Sequence, residues 1–454
     1  MRSLSCAAFP MTVSRTICLG FLAVITLGSL LLMMPFSVTS GTWGDPITAL
    51  FTTTSAVCVT GLAVVDTGTY FSTLGQGILL LLIQVGGLGY MTATTFLLLL
   101  LGRRFGLRDR LALQQSLDMP GMKGVVQLVR SIIATTLIFE LTGIFIMLPA
   151  FSADYGLDRG LWLAIFHSIS AFNNAGFSLF PDNLVGYVSS PLVNIAVTGL
   201  VIWGGIGYQV IMELFLWLRD RLLRRPECVV FSLNFKIVTS TTLVLLIGGT
   251  VLVFCVEFDN PATLGALDWN GKLWAAWFHS VITRTAGFNS ISVGQMETAS
   301  LFASIAFMFV GAGPGSTGGG IKTTTLRILY VCTKAVLQGK EYVHCYQRQI
   351  PLSLILKAVG VVVGSMATVV GSTILISLFD PDLQFIEILF EAVSAFGTVG
   401  LSMGITADTS VLTKLVLIMT MYVGRVGVLL LMSALLGDPK PSVVRYPEEE
   451  LLVG

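Results

Sequence analysis

Charge is what this chain has least of. Only 11% of its 454 residues are Asp, Glu, Lys or Arg, against roughly 25% in soluble domains. That is too little to cover a water-facing surface of this size, which excludes a soluble globular protein. Histidine is nearly missing, with three residues, so a clustered acid, base or metal constellation of the kind an enzyme needs has little to draw on. The seven cysteines show no Cys-x-x-Cys spacing and several lie in apolar segments. Neither a disulfide framework nor a metal site is indicated. The first apolar run shows no small-residue cleavage site, and Arg15 to Met34 reads as a retained helix.

Apolar residues and glycine are abundant: 54% of the chain is hydrophobic and 47 residues are glycine. One short stretch recurs four times. A leading Phe (Phe51, Phe166, Phe278, Phe390) opens an apolar segment that runs into Val59-Thr60-Gly61, Asn174-Ala175-Gly176, Thr285-Ala286-Gly287 and Thr398-Val399-Gly400. The Phe stands ten residues before the glycine in three copies and nine before it in the third, whose short helix or turn is therefore one residue shorter. The glycines are 115, 111 and 113 residues apart, and so regular a period marks a repeat architecture.

Glycine has a physical task at that place. A strand that aims successive carbonyls at one axis alternates between left- and right-handed backbone, which glycine does cheaply. Potassium channels use four such loops, whose carbonyl oxygens replace the water shell of the ion. Here one chain supplies four imperfect copies.

Each copy reads as helix, short pore helix, filter loop, helix. This predicts an all-α polytopic membrane protein of four tandem repeats in pseudo-fourfold arrangement, like a potassium-channel pore. The expected divisions are 1–110, 111–225, 226–345 with a broken pore-lining helix, 346–437, and a cytoplasmic tail over 438–454. A span needs about 20 apolar residues. Eight are expected: Ile17 to Met34, Gly75 to Leu101, Val125 to Leu148, Val193 to Leu218, Ile237 to Val256, Leu301 to Leu337, Leu352 to Leu378 and Leu412 to Leu436. Segments such as Trp162 to Phe172 and Leu383 to Phe396 are too short to cross and must re-enter, buried in protein.

The links between repeats are basic: Arg103, Arg104, Arg108, Arg110 and Lys123; then Arg219, Arg221, Arg224, Arg225 and Lys236; then Lys334, Lys340, Arg348 and Lys357. The positive-inside rule makes these links cytoplasmic, and an even number of spans leaves both termini there. The filter side carries Asp45, Asp66, Asp154, Asp158, Asp182, Glu257, Asp259, Asp268, Glu297, Asp380, Asp382 and Asp408 against Arg159 and Lys272. Acidic residues at an outer mouth would concentrate cations.

Within the membrane, the second span of repeat three breaks at Gly311 through Thr323, where Gly311, Gly313, Gly315, Gly318, Gly319 and Gly320 accompany Pro314. Each glycine costs a helix about 1 kcal/mol and the proline about 3, so this stretch is a flexible loop and a gate candidate, and the other pore-lining helices read as unbroken. The loop imitates a phosphate-binding GxxxxGK[ST], but Ile321 intervenes before Lys322 and a membrane helix precedes it, which excludes a nucleotide site in this chain. Arg425, placed near the middle of the last span, is expensive in a membrane and should face a cavity or partner. Glu140 and Glu213, nearer span ends, read as ties between helices. His167 and His279, one residue after a leading Phe, read as packing or capping groups, with Glu391 and Thr52 in the same place and Cys58 as a small buried hydrophobe.

Together these features resemble the Trk/Ktr/HKT superfamily of potassium- and sodium-translocating membrane subunits, most nearly the bacterial Ktr type, over nearly the whole chain. The resemblance implies potassium uptake, commonly sodium-stimulated, in a bacterial inner membrane. It implies a homodimer in which each protomer has its own pore, seated on a cytosolic, KtrA-like ring whose subunits bind the nucleotide. No cofactor is implied in this chain beyond the ions it carries. By resemblance, Gly311 to Thr323 is an intramembrane gating loop, with Arg425 the arginine below the filter. Gly61 stands where sodium-selective plant relatives carry Ser. Only repeat four reads Thr-Val-Gly, a departure from a strict potassium channel. A sodium-translocating protein and a cation-coupled secondary transporter, which would show inverted repeats, are the alternatives.

Overall fold

The computed structural model describes residues 12–89, 92, 125–224 and 230–436. Sixteen α-helices occur among them, in four successive sets. The first is α1 (Val13–Met33), α2 (Pro46–Val57), the single turn α3 (Thr67–Tyr70) and α4 (Thr73–Leu88). The second is α5 (Val125–Tyr155), α6 (Leu157–Phe172), α7 (Pro191–Ile206) and α8 (Tyr208–Leu222). The third is α9 (Leu233–Glu257), α10 (Trp269–Ile282), α11 (Thr298–Phe309) and α12 (Thr323–Leu337). The fourth is α13 (Leu352–Phe379), α14 (Phe385–Gly397), α15 (Val411–Val426) and α16 (Val428–Leu436). A small hairpin, β1 (His344–Cys345) and β2 (Arg348–Gln349), pairs His344 with Gln349 between the last two sets.

The opening helix of each set is long and apolar enough to cross a membrane: α1, α5 (from Val129), α9 and α13. Their outer faces expose Leu27, Ile138, Phe145, Val244, Val363 and Leu378, a surface suited to lipid rather than water. The closing helices are not continuous. α7 and α8 meet at 102°, α15 and α16 at 94°, while α4 and α11 are short apolar helices. Among the described residues four helices are long enough to cross, or six spans if each bent pair counts as one. Val193 to Leu218 and Leu412 to Leu436 are thus bent segments, and the expectation that only one helix is broken does not hold. The breaks fall at left-handed glycines, Gly207 (φ 100°) and Gly427 (φ 89°), and Gly89 (φ 78°) ends α4 in the same way. A glycine in that conformation stops a helix at little cost.

The short helices α2, α6, α10 and α14 fill the centre. Local chemistry starts them: Asp45 and Asp268 accept backbone N–H groups at the first turns of α2 and α10, and Gln384 and Glu387 form a reciprocal cap on α14. The four leading phenylalanines are fully buried, at 0–1% exposure, and anchor these helices in one continuous core. Two of the basic link clusters fall partly or wholly beyond reach: Arg103, Arg104, Arg108, Arg110, Lys123 and Arg225, like the tail 438–454, lie outside the described residues.

Candidate functional site

The four short helices end together, and the loops after them meet in a closed ring. A Cβ built on Gly61 would lie 2.5 Å from the Ala175 carbonyl oxygen; on Gly176, 2.7 Å from that of Ala286; on Gly287, 2.7 Å from that of Val399; and on Gly400, 2.0 Å from that of Thr60. Each glycine therefore leaves the space occupied by a carbonyl of the next loop, and the fourth returns to the first. This second reason for glycine was not read from the sequence, which pointed only to backbone freedom.

The backbone alternation is present, and wider than expected. The glycines have φ of 92°, 70°, 69° and 89°, and the residue two before each is left-handed as well: Val59 (57°), Asn174 (58°), Thr285 (68°) and Thr398 (49°). Three of those four are β-branched, for which this region is a true outlier. Such strain persists only where surroundings over-determine it and concentrates at functional sites. Thr60, Ala175 and Val399 donate their N–H groups five residues back, to Ser55, Ser170 and Ser394, whereas Ala286 donates four back, to Ile282. The third turn is thus one residue tighter, as the spacing of Phe278 requires. Ser55 and Ser394 also accept the Gly61 and Gly400 amides at 3.0 and 3.1 Å.

A cavity of about 630 Å³ opens on one side of the ring. Of the twelve acidic residues expected at the mouth, Asp66 and Asp182 line it. Asp66 also caps α3, accepting from the Gly68 amide at 3.1 Å and the Thr69 hydroxyl at 2.7 Å, and others are tied up in the fold outside the cavity. Asp45 and Asp268 cap helices, and Asp154 accepts the Tyr187 hydroxyl at 2.6 Å. Burial and the Asp154 carboxylate push that phenol up. Glu257 accepts from Thr263 and the Glu297 amide. Burial favours the neutral form of Asp380, but the Ser410 amide, which donates to it at 3.0 Å, and the nearby Lys414 charge help hold the carboxyl below its usual range.

A second cavity, of about 280 Å³, lies on the other side, with Lys322 and Arg425 in its lining. Between the two is the glycine-rich loop, and it is not slack. Its neck is closed by Gly311 N–H to the Ile321 carbonyl (2.9 Å) and Thr323 N–H to that of Ala312 (3.2 Å). Gly313 and Thr317 donate backbone N–H groups to Gly205 and Gly204, at the α7–α8 break, and Tyr208 donates to Gly315. Its tip lies against the ring: the Thr317 hydroxyl donates to Asn174 Oδ1 at 2.9 Å and the Gly319 amide to Thr398 Oγ1 at 3.1 Å. A Cβ on Gly318 would strike Thr285 Oγ1. Lys322 donates to the Gly318 carbonyl at 2.8 Å. The conformation expected to be flexible is hydrogen-bonded throughout.

Arg425 stands at the C-terminal end of α15, near the middle of the bent segment from Val411 to Leu436, where Gly427 ends the helix. Its guanidinium donates to the carbonyls of Thr317 and Gly86, fastening the loop to α4. The helix glycines beside it recur. Cβ atoms on Gly86, Gly204 and Gly424 would strike the carbonyls of Val57, Phe172 and Phe396, each four residues before a ring glycine and each three before a helix break. Gly86-Gly87-Leu88-Gly89, Gly204-Gly205-Ile206-Gly207 and Gly424-Arg425-Val426-Gly427 are one pattern, legible in the sequence but overlooked; Arg425 occupies the place of Gly87 and Gly205.

The buried groups around the ring are engaged locally. His167 bonds Leu163 O and Ser178 Oγ, and His279 bonds Ser304 Oγ. Glu391 accepts from Thr406, and Cys58 is fully buried. Glu140, at mid-helix rather than near an end, accepts from the Asn173 amide at 3.2 Å; Glu213 accepts from the Ser232 amide. Thr52 Oγ1 has no partner.

The family described as "TrkH: Cation transport protein" matches residues 11–442. The chain belongs to the TrkH cation transport family. Ktr system potassium uptake protein B of Bacillus subtilis (strain 168) is 40% identical over 98% of this chain and 97% of its own. The protein of that name from Vibrio alginolyticus is 38% identical over 97% and 94%, and the potassium/sodium uptake protein NtpJ of Enterococcus hirae 35% over 97% of each. The crystal structure of the potassium transporter TrkH from Vibrio parahaemolyticus shares the fold, with a TM-score of 0.74 at 16% identity over 95% of this chain and 86% of that one. TrkH proteins are membrane-spanning transporters, not a family of enzymes. For a TrkH protein the two mouth carboxylates predict a concentrating effect. Asp66→Asn with Asp182→Asn is expected to raise the half-saturating cation concentration several-fold at low ionic strength, the difference vanishing near 1 M salt, where screening acts within about 3 Å. Transport titrations at the two salt levels check this.

Proposed function

We propose that this chain is the ion-translocating subunit of a bacterial potassium-uptake system, and that Val59 to Gly61, Asn174 to Gly176, Thr285 to Gly287 and Thr398 to Gly400 form its single-chain selectivity filter. The observation that carries this reading is the closed glycine ring with paired left-handed residues in all four loops. Backbone carbonyls held this way can replace a cation's water shell. The four sets of helices act as tandem repeats, 1–110, 111–225, 226–345 and 346–437, around one pore with pseudo-fourfold symmetry. The mouth with Asp66 and Asp182 faces outward, and both termini and the basic links face the cytoplasm.

In this reading the loop from Gly311 to Lys322 is the gate and Arg425 its latch. A homodimer rests on a cytosolic ring of KtrA-like subunits that bind the regulatory nucleotide and shift the gate. Sodium is a second ion to consider, because one relative is named for both ions. The test is rubidium flux into proteoliposomes with and without a proton gradient. Flux that saturates, is competed by potassium and ignores the gradient is expected. Strict gradient dependence would make the chain a coupled secondary transporter.

The docking of the ring gives a further expectation. Arg219 pairs with Asp220 at 2.9 Å, leaving Arg221 and Arg224 exposed at the end of α8. Reversing Arg221 and Arg224 to Glu, with Arg103 and Arg104, is expected to cut co-purification with the regulatory subunit at least fivefold while membrane insertion is unchanged.

A further inference from the structure

A third cavity, of about 360 Å³, lies away from the ring, between α12 and the β1–β2 hairpin. Its lining is basic. Arg327, Lys334, Lys340 and His344 contribute to it, and no carboxylate does. Arg327 Nε is buried with no acceptor. Three tyrosines complete the wall: the Arg327 guanidinium stands 5.5 Å from the Tyr330 ring centre and 5.8 Å from that of Tyr346, with Tyr342 at the rim. The walls are preformed. A separate small core of Ile237, Cys345, Ile350 and Ile355 pins the hairpin to its neighbouring helices, and the Tyr346 hydroxyl bonds Ser240 Oγ at 2.9 Å.

Several cations around a polar hollow, one with an unmet donor, call for an oxyanion. Arg in particular matches phosphate oxygens. The rim says which phosphate. At the end of α12, Val336 and Leu337 are 71% and 82% exposed, and tyrosines favour the level of lipid headgroups. Basic pockets between membrane helices bind anionic headgroups. We infer that the α12–hairpin cavity binds the phosphodiester headgroup of an anionic membrane lipid, held by Arg327, Lys334 and Lys340 with its acyl chains along Val336 and Leu337. The leaflet, the cytoplasmic one, rests on the orientation proposed above; the binding does not. α12 starts at Thr323, where the glycine-rich loop ends, so an occupant here bears on the loop's lower anchor.

The test uses the full chain in detergent and needs no ion flux, so it stands apart from the fate of the transport reading. Thermal unfolding is followed while dioleoyl phosphatidylglycerol or dioleoyl phosphatidylcholine is titrated in. Phosphatidylglycerol is expected to raise the midpoint saturably, and phosphatidylcholine is not. Removing a basic residue near such a surface weakens binding roughly fivefold, so Arg327→Gln with Lys334→Gln should move half-saturation up by more than tenfold. Lys340→Gln, on the exposed rim, should move it by about fivefold and serves if the double variant does not fold. Lys357→Gln, an exposed cation outside the cavity, should leave it unchanged. Equal shifts with Lys357→Gln, no effect of Lys340→Gln, or equal stabilisation by inorganic phosphate overturns the assignment.

Discussion

Replacing Gly400 by alanine is expected to lower potassium uptake at least tenfold and to erode discrimination against sodium. The new methyl would sit 2.0 Å from the Thr60 carbonyl oxygen. No side chain is there to move aside; the obstacle is backbone. The left-handed φ of 89° adds about 1–2 kcal/mol for any residue with a Cβ, and 1.4 kcal/mol is already a factor of ten in an affinity. Relief requires displacing either Gly400 or Thr60, and both belong to the proposed ion site. Gly61→Ala, Gly176→Ala and Gly287→Ala meet carbonyls at 2.5–2.7 Å and should fall in the same direction with smaller size. Gly371→Ala is the control, since a Cβ there meets nothing within 4 Å on α13. Initial rates of uptake for each cation, at matched membrane content, check the series. Wild-type rates in all four ring variants would remove the filter assignment.

Arg425→Ala is expected to raise basal flux in the absence of any regulatory subunit, and removal of residues within Gly313 to Gly319 should do the same. Six bonds hold the loop beneath the ring: Gly313 to Gly205, Thr317 to Gly204, Tyr208 to Gly315, Thr317 to Asn174, Gly319 to Thr398 and Arg425 to Thr317. At about 0.5–1.5 kcal/mol for each of the five neutral bonds and about 1.5–3 for the charged one, they sum to roughly 4–10 kcal/mol. Moving a two-state equilibrium from 1:99 to 99:1 takes about 5.5 kcal/mol. If the loop is the proposed gate, the bonds suffice to keep it closed alone and are weak enough for a bound partner to overcome. In the proposed gate Arg425 would act as a latch through two carbonyls rather than only as a charge below the filter. Losing its charge-assisted link to the loop at Thr317, about 1.5–3 kcal/mol, should increase partner-free flux by roughly tenfold to a hundredfold. The double variant should add little, because both changes open one device. Liposome flux at equal protein density measures all three. Closed single variants would make the loop a structural strut.

The ring was legible because its demands are local and repeated. A left-handed glycine after an apolar segment leaves a mark in each copy, and even the one-residue contraction before Gly287 could be read and appears as a tighter turn. At the mouth, composition shows which residues are acidic but not which of them face the cavity. Carboxylates that cap helices or bridge loops, such as Asp45, Asp268 and Glu257, have the same composition as those that face an ion, and only packing separates them. The helix breaks were under-read for a different reason. Gly207 and Gly427 sit in apolar runs long enough to span, and a hydropathy argument passes over single glycines. The Gly-x-x-Gly spacing at 86, 204 and 424 was the available signal. The loop looked flexible because glycine lacks side-chain contacts, yet its order comes from backbone amides that composition cannot display.

The ring also has a consequence for how the protein is made. Its closing contact joins Thr60 to Gly400, near opposite ends of the chain. A ribosome working at about 5–20 residues per second takes tens of seconds to produce the segment between them. Late in that interval Gly61 and Gly176 have their neighbours Ala175 and Ala286, but Gly287 lacks Val399 and nothing closes the ring onto Thr60. The ring, and with it the proposed ion site, is therefore completed only after the segment around Gly400 is made, and a chain truncated before it would hold three of the four loops and an open ring.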